Sequence, residues 1–243
     1  MLKDYIPQII IAAAVLLAAL IFSNAYKKRS FTNDTVSVTG MGEKDFESDL
    51  VVWNGSFSRK NLDLKTAYSE LNADRNTVSN YLIKKGVDAK EIVFDAVNIS
   101  KDFTNSFDKN GNTSQAFNGY ILSQSVRIES KELDKVETVS REVTELINTG
   151  VELNSGSPEY VYSKLAALKL DLIAEASKNA RQRAEKIADN AGGSLGKLRN
   201  ANMGVFQILG RNSSEDYSGG GTFNTSSKKK TATITMKLVY ESR

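Results

Sequence analysis

The chain has 243 residues, 40% of them hydrophobic, enough to core one large domain or two small intimate ones. It contains no Cys and no His, which excludes thiol nucleophiles, imidazole bases, disulfides and zinc sites built on thiolate or imidazole. The net charge of +3 comes entirely from Lys3, Lys27, Lys28 and Arg29 set against Asp4 in residues 1–29, so the neutral remainder offers no clustered basic face to nucleic acid.

From Ile9 to Phe22 every residue is apolar. A helix from Tyr5 to Tyr26 would span about 33 Å, close to the hydrocarbon thickness of a bilayer. Tyr5 and Tyr26 at its ends, with Lys27, Lys28 and Arg29 behind, supply the aromatic and basic groups of a membrane interface. Residues 1–29 are therefore expected to be an N-terminal transmembrane helix with a basic collar. A second reading is open, because Ser23-Asn24-Ala25 offers a small-x-small site for a signal peptidase. The positive-inside rule would keep the collar, and the domain behind it, on the cytoplasmic side.

After a polar linker at 30–34, TVSVTGMG from Thr35 alternates as a strand, with Val36 and Val38 on one face and Gly40 and Gly42 permitting a bulge or a close backbone approach. LVVWNGSFSR from Leu50 predicts a second strand with Val51, Trp53, Gly55 and Phe57 on one side. Leu64, Tyr68, Leu71, Val78 and Leu82 mark the inner face of a helix over 62–85 that stops at Gly86. Residues 91–129 predict a long hairpin with Asn110-Gly111 at its tip. A further helix, Glu132 to Asn148, points Leu133, Val136, Val139, Val143 and Leu146 inward and stops at Gly150. The likeness of LIKKGVD and LINTGVE suggests an internal duplication, although helices commonly end in Gly and would produce it by chance.

EYVYS predicts a short strand leading into the longest helix, within Ser163 to Leu198. There Leu165, Leu168, Leu172, Ala176, Ala180, Ala184, Ile187 and Ala191 recur every three or four residues, ahead of Gly192-Gly193. Ala at this spacing lets another backbone approach closely, so Ala176, Ala180, Ala184, Ile187 and Ala191 form a candidate packing or subunit-contact face. KLRNANMGVFQIL predicts a strand with an irregular start. GRNSSEDYSGGGTFNTSSKKK reads as a Gly/Ser-rich loop with no capacity to pack. The last strand buries Ala232, Ile234, Met236, Leu238 and Tyr240 by alternation.

No catalytic, cofactor or metal residues are assigned. The acid pairs Glu43 with Asp45 and Asp88 with Glu91 lie in turn or strand-edge contexts that supply nothing to raise a pKa. Asp102 to Asp108 lacks an EF-hand series. Ser194, in GGSLG, follows a helix, whereas a nucleophile elbow needs strand-turn-helix.

The chain resembles the SIMPL-domain family of bacterial envelope proteins. The carriers are VSVTGMGE, the steps Gly86-Val87 and Gly150-Val151, Gly119-Tyr120, and above all ALKLDLIAEASKNARQRAEKIADNAGGSLGKL. The resemblance implies an α+β fold in a repeated arrangement, an extracytoplasmic location and no established enzymatic activity. It also implies that some members are ring- or cage-forming homo-oligomers, and that some are linked to oxidative-stress tolerance.

The expectation is thus an α+β protein: antiparallel-rich sheets packed by three helices, plus the N-terminal transmembrane helix. Residues 35–243 form the SIMPL domain, read as one unit or as two intimate subdomains of about 35–130 and 131–243. The expected function is a non-enzymatic, membrane-anchored, homo-oligomeric envelope scaffold facing the periplasm. The alternative is an envelope binding or adaptor protein for a small molecule or a partner protein.

Overall fold

A computed structural model describes residues 6–30, 35–107, 113–216 and 218–242. These form four α-helices and two antiparallel sheets, an α+β fold. Tyr5 and the Asn110-Gly111 turn lie outside the described residues, as do the side chains of Lys27, Lys28 and Arg29.

Helix α1 (Ile6–Ser30) is 25 residues long. Its described large apolar side chains, from Ile11 to Phe22, are each at least 60% exposed, and Tyr26 is 77% exposed. Counting described residues only, no helix is long and apolar enough to cross a membrane.

The first sheet joins β1 (Thr35–Glu47), β10 (Lys229–Ser242) and β8 (Leu195–Met203), with β9 (Gln207–Gly210) also on β10. β1 and β10 pair without interruption from Thr35↔Glu241 to Glu47↔Lys229, so the two glycines of β1 sit in regular strand rather than in a bulge. Alternation buries Ala232, Ile234, Met236, Leu238 and Tyr240 under α4 (Leu165–Asn190), with Val38 and Ile208 completing the core. The segment expected as one irregular strand is two, β8 and β9.

The second sheet runs β3 (Ile92–Phe94), β5 (Thr113–Ser130), β2 (Leu50–Asn61) and β6 (Leu153–Ser155). β4 (Asn98–Phe107) pairs with β5, and β7 (Glu159–Val161) with β2. Helices α2 (Leu64–Lys84) and α3 (Leu133–Glu142) close its core over Val51, Trp53, Phe57, Leu122, Val126 and Ile128. Two sequence expectations shift here. Leu64 and Tyr68 are 38% and 54% exposed, and the inner stripe of α2 is Ala67, Leu71, Asp74, Val78 and Leu82. The helix expected over Glu132–Asn148 is α-helical only to Glu142 and tightens into a 3-10 turn over Val143–Thr149.

Three helical segments end alike. Val87 N–H bonds back to Leu82 O, Val151 N–H to Leu146 O and Gly193 N–H to Ala188 O, around the left-handed Gly86, Gly150 and Gly192. This six-to-one closure satisfies the last free carbonyls and needs a residue with positive φ, a cap that LIKKGVD and LINTGVE share. The two cores each draw on both halves of the chain. β1 belongs with β10 and α4, whereas α3 belongs with β2, β5 and α2.

Candidate functional site

The most specific sequence motifs meet in one place, the seam between β1 and α4. Val38, Gly40 and Gly42 share the inner face of β1, and α4 lies directly on the glycines. A Cβ on Gly40 would stand 2.7 Å from the Ala180 Cα and nearer still to Ala176 O and Ala180 N. One on Gly42 would strike the Leu172 carbonyl. Small residues on both sides bring the two backbones together, which makes VSVTGMGE and the Ala-rich helix a single packed unit.

Polar rungs lock the outer edge of the seam. Asn179 Oδ1 accepts from Met41 N–H at 3.3 Å, Arg183 donates to Thr39 O at 3.0 Å, and Lys44 faces Asp171 at 3.6 Å. An edge strand exposes unpaired N–H and C=O groups, and these α4 side chains occupy two of them. Beside the rungs, an open groove of about 880 Å³ runs between Ser37–Thr39 and the flank of α4 formed by Gln182, Arg183 and Lys186.

The candidate face divides. Ala176, Ala180 and Ala184 are fully buried against the sheet, and Ala188, which the sequence reading passed over, continues the stripe at 2% exposure. That face is filled by the chain's own sheet, so it is not free to meet a second copy. Ile187 is half exposed and Ala191 exposed, because the stripe advances every fourth residue and turns away from both.

Three of the acids considered for chemistry serve structure. Asp45 pairs with Arg211 and accepts from Thr231 Oγ1, Asp88 accepts from Lys90 N–H at the start of a short 3-10 turn, and Asp102 accepts from Lys60 and Asn118. Ser194 is exposed in the turn after α4. Among the described residues no group of three or more acidic side chains converges as a metal site would.

Several organising polar groups escaped the sequence reading. Arg59 holds the buried Asp74 through two hydrogen bonds and also donates to Gly150 O, tying β2 to the middle of α2 and to the end of the 3-10 turn. Its pKa is raised chiefly by the Asp74 hydrogen bond. Lys228 bridges Asp134 and Glu137, and hydrogen bonding to it holds both carboxyls below their ordinary range. Lys230 is 1% exposed and donates to Tyr160 O at 2.6 Å, joining β10 of one sheet to β7 of the other. Burial pushes its pKa down to about 8, with nearby Glu215 opposing.

The described residues between Arg211 and Lys228 are also more ordered than their composition implied. Glu215 accepts from Gly210 N–H, Ser213 and the buried Asn224, while Gln207 donates to Ser218 O and accepts from Thr222 N–H. The loop packs through side-chain to backbone hydrogen bonds, which a count of apolar residues does not register.

Fold and seam together define an α+β protein built around a close helix-on-strand contact. The chain belongs to the SIMPL family, described as a protein of unknown function (DUF541), which it matches over residues 36–240. It is 27% identical over 164 residues to the 26 kDa periplasmic immunogenic protein of Brucella melitensis biotype 1, and 26% identical over 164 residues to the protein of that name from Brucella abortus. Each match covers 67% of this chain and 64% of the relative, so the chain spans just under two thirds of the length of these curated relatives.

Proposed function

We propose that the chain is a membrane-anchored, non-enzymatic protein of the cell envelope whose extracytoplasmic domain self-assembles into a homo-oligomeric scaffold. The observation that carries this reading is the bare flank of α1. A helix that leaves its described apolar side chains exposed finds no partner in its own chain, and the unbroken apolar run from Ile9 to Phe22 suits a lipid surrounding. At 25 residues such a helix is about 37 Å long. The periplasmic relatives support placing the domain outside the cytoplasm. Anchoring many copies on one surface raises their effective concentration, so modest contacts suffice for assembly. The absence of Cys and His supports a non-enzymatic role.

Alkaline carbonate extraction of membranes, combined with a reporter fused behind β10, tests anchor and side together. Retention in the membrane pellet and activity of an export-dependent reporter are expected. Release into the soluble fraction, or activity only of a cytoplasmic reporter, would overturn the anchored or the exported half of the proposal.

The groove beside the seam favours a second reading, an adaptor that binds a small molecule or a partner segment. Native mass spectrometry showing a bound metabolite that the Arg183→Ala variant loses would favour it.

A further inference from the structure

We propose that the projecting ribbon of β4 and β5 is the contact through which one copy of this chain holds a second, the aromatic face of each ribbon seated on the apolar groove at the base of the other. This rests on the self-assembly reading above and names its surface.

β5 pairs with β2 only from Tyr120 to Ser130; between Thr113 and Gly119 its partner is β4 alone. The outer segment, 102–107 with 113–119, is thus a two-stranded ribbon standing off the sheet, and every described side chain from 113 to 118 is exposed. Two strands alone are marginal in water, so a surface that covers them stabilises them.

The ribbon is aimed, not loose. Asp102 accepts from Lys60 at 2.6 Å and from Asn118 at 2.8 Å, and the strand register shifts between Asp102 and Phe103. Gly119 opposite has a φ of +114°, and a Cβ there would lie 2.8 Å from Asn61 O.

Phe103 meets Phe117 edge-on at 5.9 Å, and Phe117 meets Tyr120 at 5.1 Å, a ladder whose two phenylalanines are 47% and 44% exposed. At its foot lies a groove of about 510 Å³ lined by Leu64, Tyr68, Ile99 and Leu122. Ile99 and Leu122 are cross-strand partners and share one face.

A second copy fits for two reasons. Ladder and groove lie about 13 Å apart along β4, the four residues from Ile99 to Phe103. Two ribbons running antiparallel about a two-fold axis therefore place each Phe103 over the other's groove, the self-complementary arrangement that closes a symmetric pair. The charges on this face are also balanced, with Lys65 and Lys101 against Asp63 and Glu70, which meets an identical face without net repulsion and gives a strongly charged partner nothing to select.

Because the chain has no Cys, introduced thiols report contacts cleanly. Membranes carrying full-length Phe103→Cys and Tyr68→Cys chains together are expected, on mild oxidation, to give a cross-linked dimer, whereas Phe103→Cys with Thr235→Cys gives none. The Phe103→Ser/Phe117→Ser variant, checked for native circular dichroism, is expected to weaken association at least about ten-fold in detergent. Absent cross-links with unchanged association would overturn this contact and leave self-assembly standing; a monomeric wild type would remove both. A photo-cross-linker at Phe117 that captured lipid or another protein instead of a second copy would also overturn it.

Discussion

Gly40 lies directly beneath Ala180: a Cβ on the glycine would stand 2.7 Å from the alanine's Cα, closer than two carbons can pack. Backbone atoms on both sides leave no flexible side chain to yield. Gly40→Ala is therefore expected to force α4 off β1 and destabilise the domain by about 3 kcal/mol, while Met41→Ala on the open face changes it by less than about 0.5 kcal/mol. Urea denaturation of the two variants checks this. Equal midpoints would mean that the seam is not the organising contact.

The Arg59–Asp74 pair is the second support. Arg59→Met leaves a buried carboxylate without its two hydrogen bonds and frees Gly150 O, and a loss of about 2 kcal/mol is expected. The double variant Arg59→Met/Asp74→Leu should recover most of it, because no uncompensated charge remains. Failure of the second change to rescue the first would show that Arg59 acts through packing instead.

Lys230 gives stability a pH dependence of defined sign. Burial lowers its folded pKa from 10.5 to about 8, so across that window the unfolded chain binds the extra proton. Stability from this group then rises with pH between those values, and the charged form weakens the fold below them. The difference in unfolding free energy between wild type and Lys230→Met, followed from pH 7 to 10.5, is expected to move in the wild type's favour as pH rises. A flat difference would contradict the buried placement.

Glu215 acts in the opposite direction. Hydrogen bonds from Gly210 N–H and then Asn224 lower its carboxyl below the ordinary 4.5, so its stabilisation is present above that value and fades as pH falls through the folded pKa. Hydrogen-exchange protection factors at Gly210 and Thr222, corrected for the intrinsic rate at each pH, are expected to fall on acidification in wild type and to be low already at neutral pH in Glu215→Ala. Identical protection in both would sever the loop from this carboxylate.

The strands and helices were legible where alternation or a 3.6-residue period was strong, as in β10 and α4. Gly40 and Gly42 were legible as a close approach, although what approached them was not, since 138 residues separate Met41 from Asn179 in the hydrogen bond that pins the seam. Asp74 and Lys230 left a signal that could have been taken up. Each is a charged residue standing in phase with a buried stripe, at Leu71–Asp74–Val78 and at Lys230–Ala232–Ile234, which implies a buried and partnered charge. The ordered loop left little trace, because its packing is made of Gln207, Glu215 and Asn224 bonding to backbone, and composition alone reads such residues as solvent-facing. The ribbon was predicted as part of a hairpin, but only the strand register shows that β2 stops short of it.

The central claim, a domain that assembles on its anchor, is tested most directly by the molar mass of the full-length chain extracted in mild detergent and measured by light scattering with the detergent contribution removed. A discrete multiple of 26.7 kDa that persists on dilution is expected. A single chain at every concentration would contradict it.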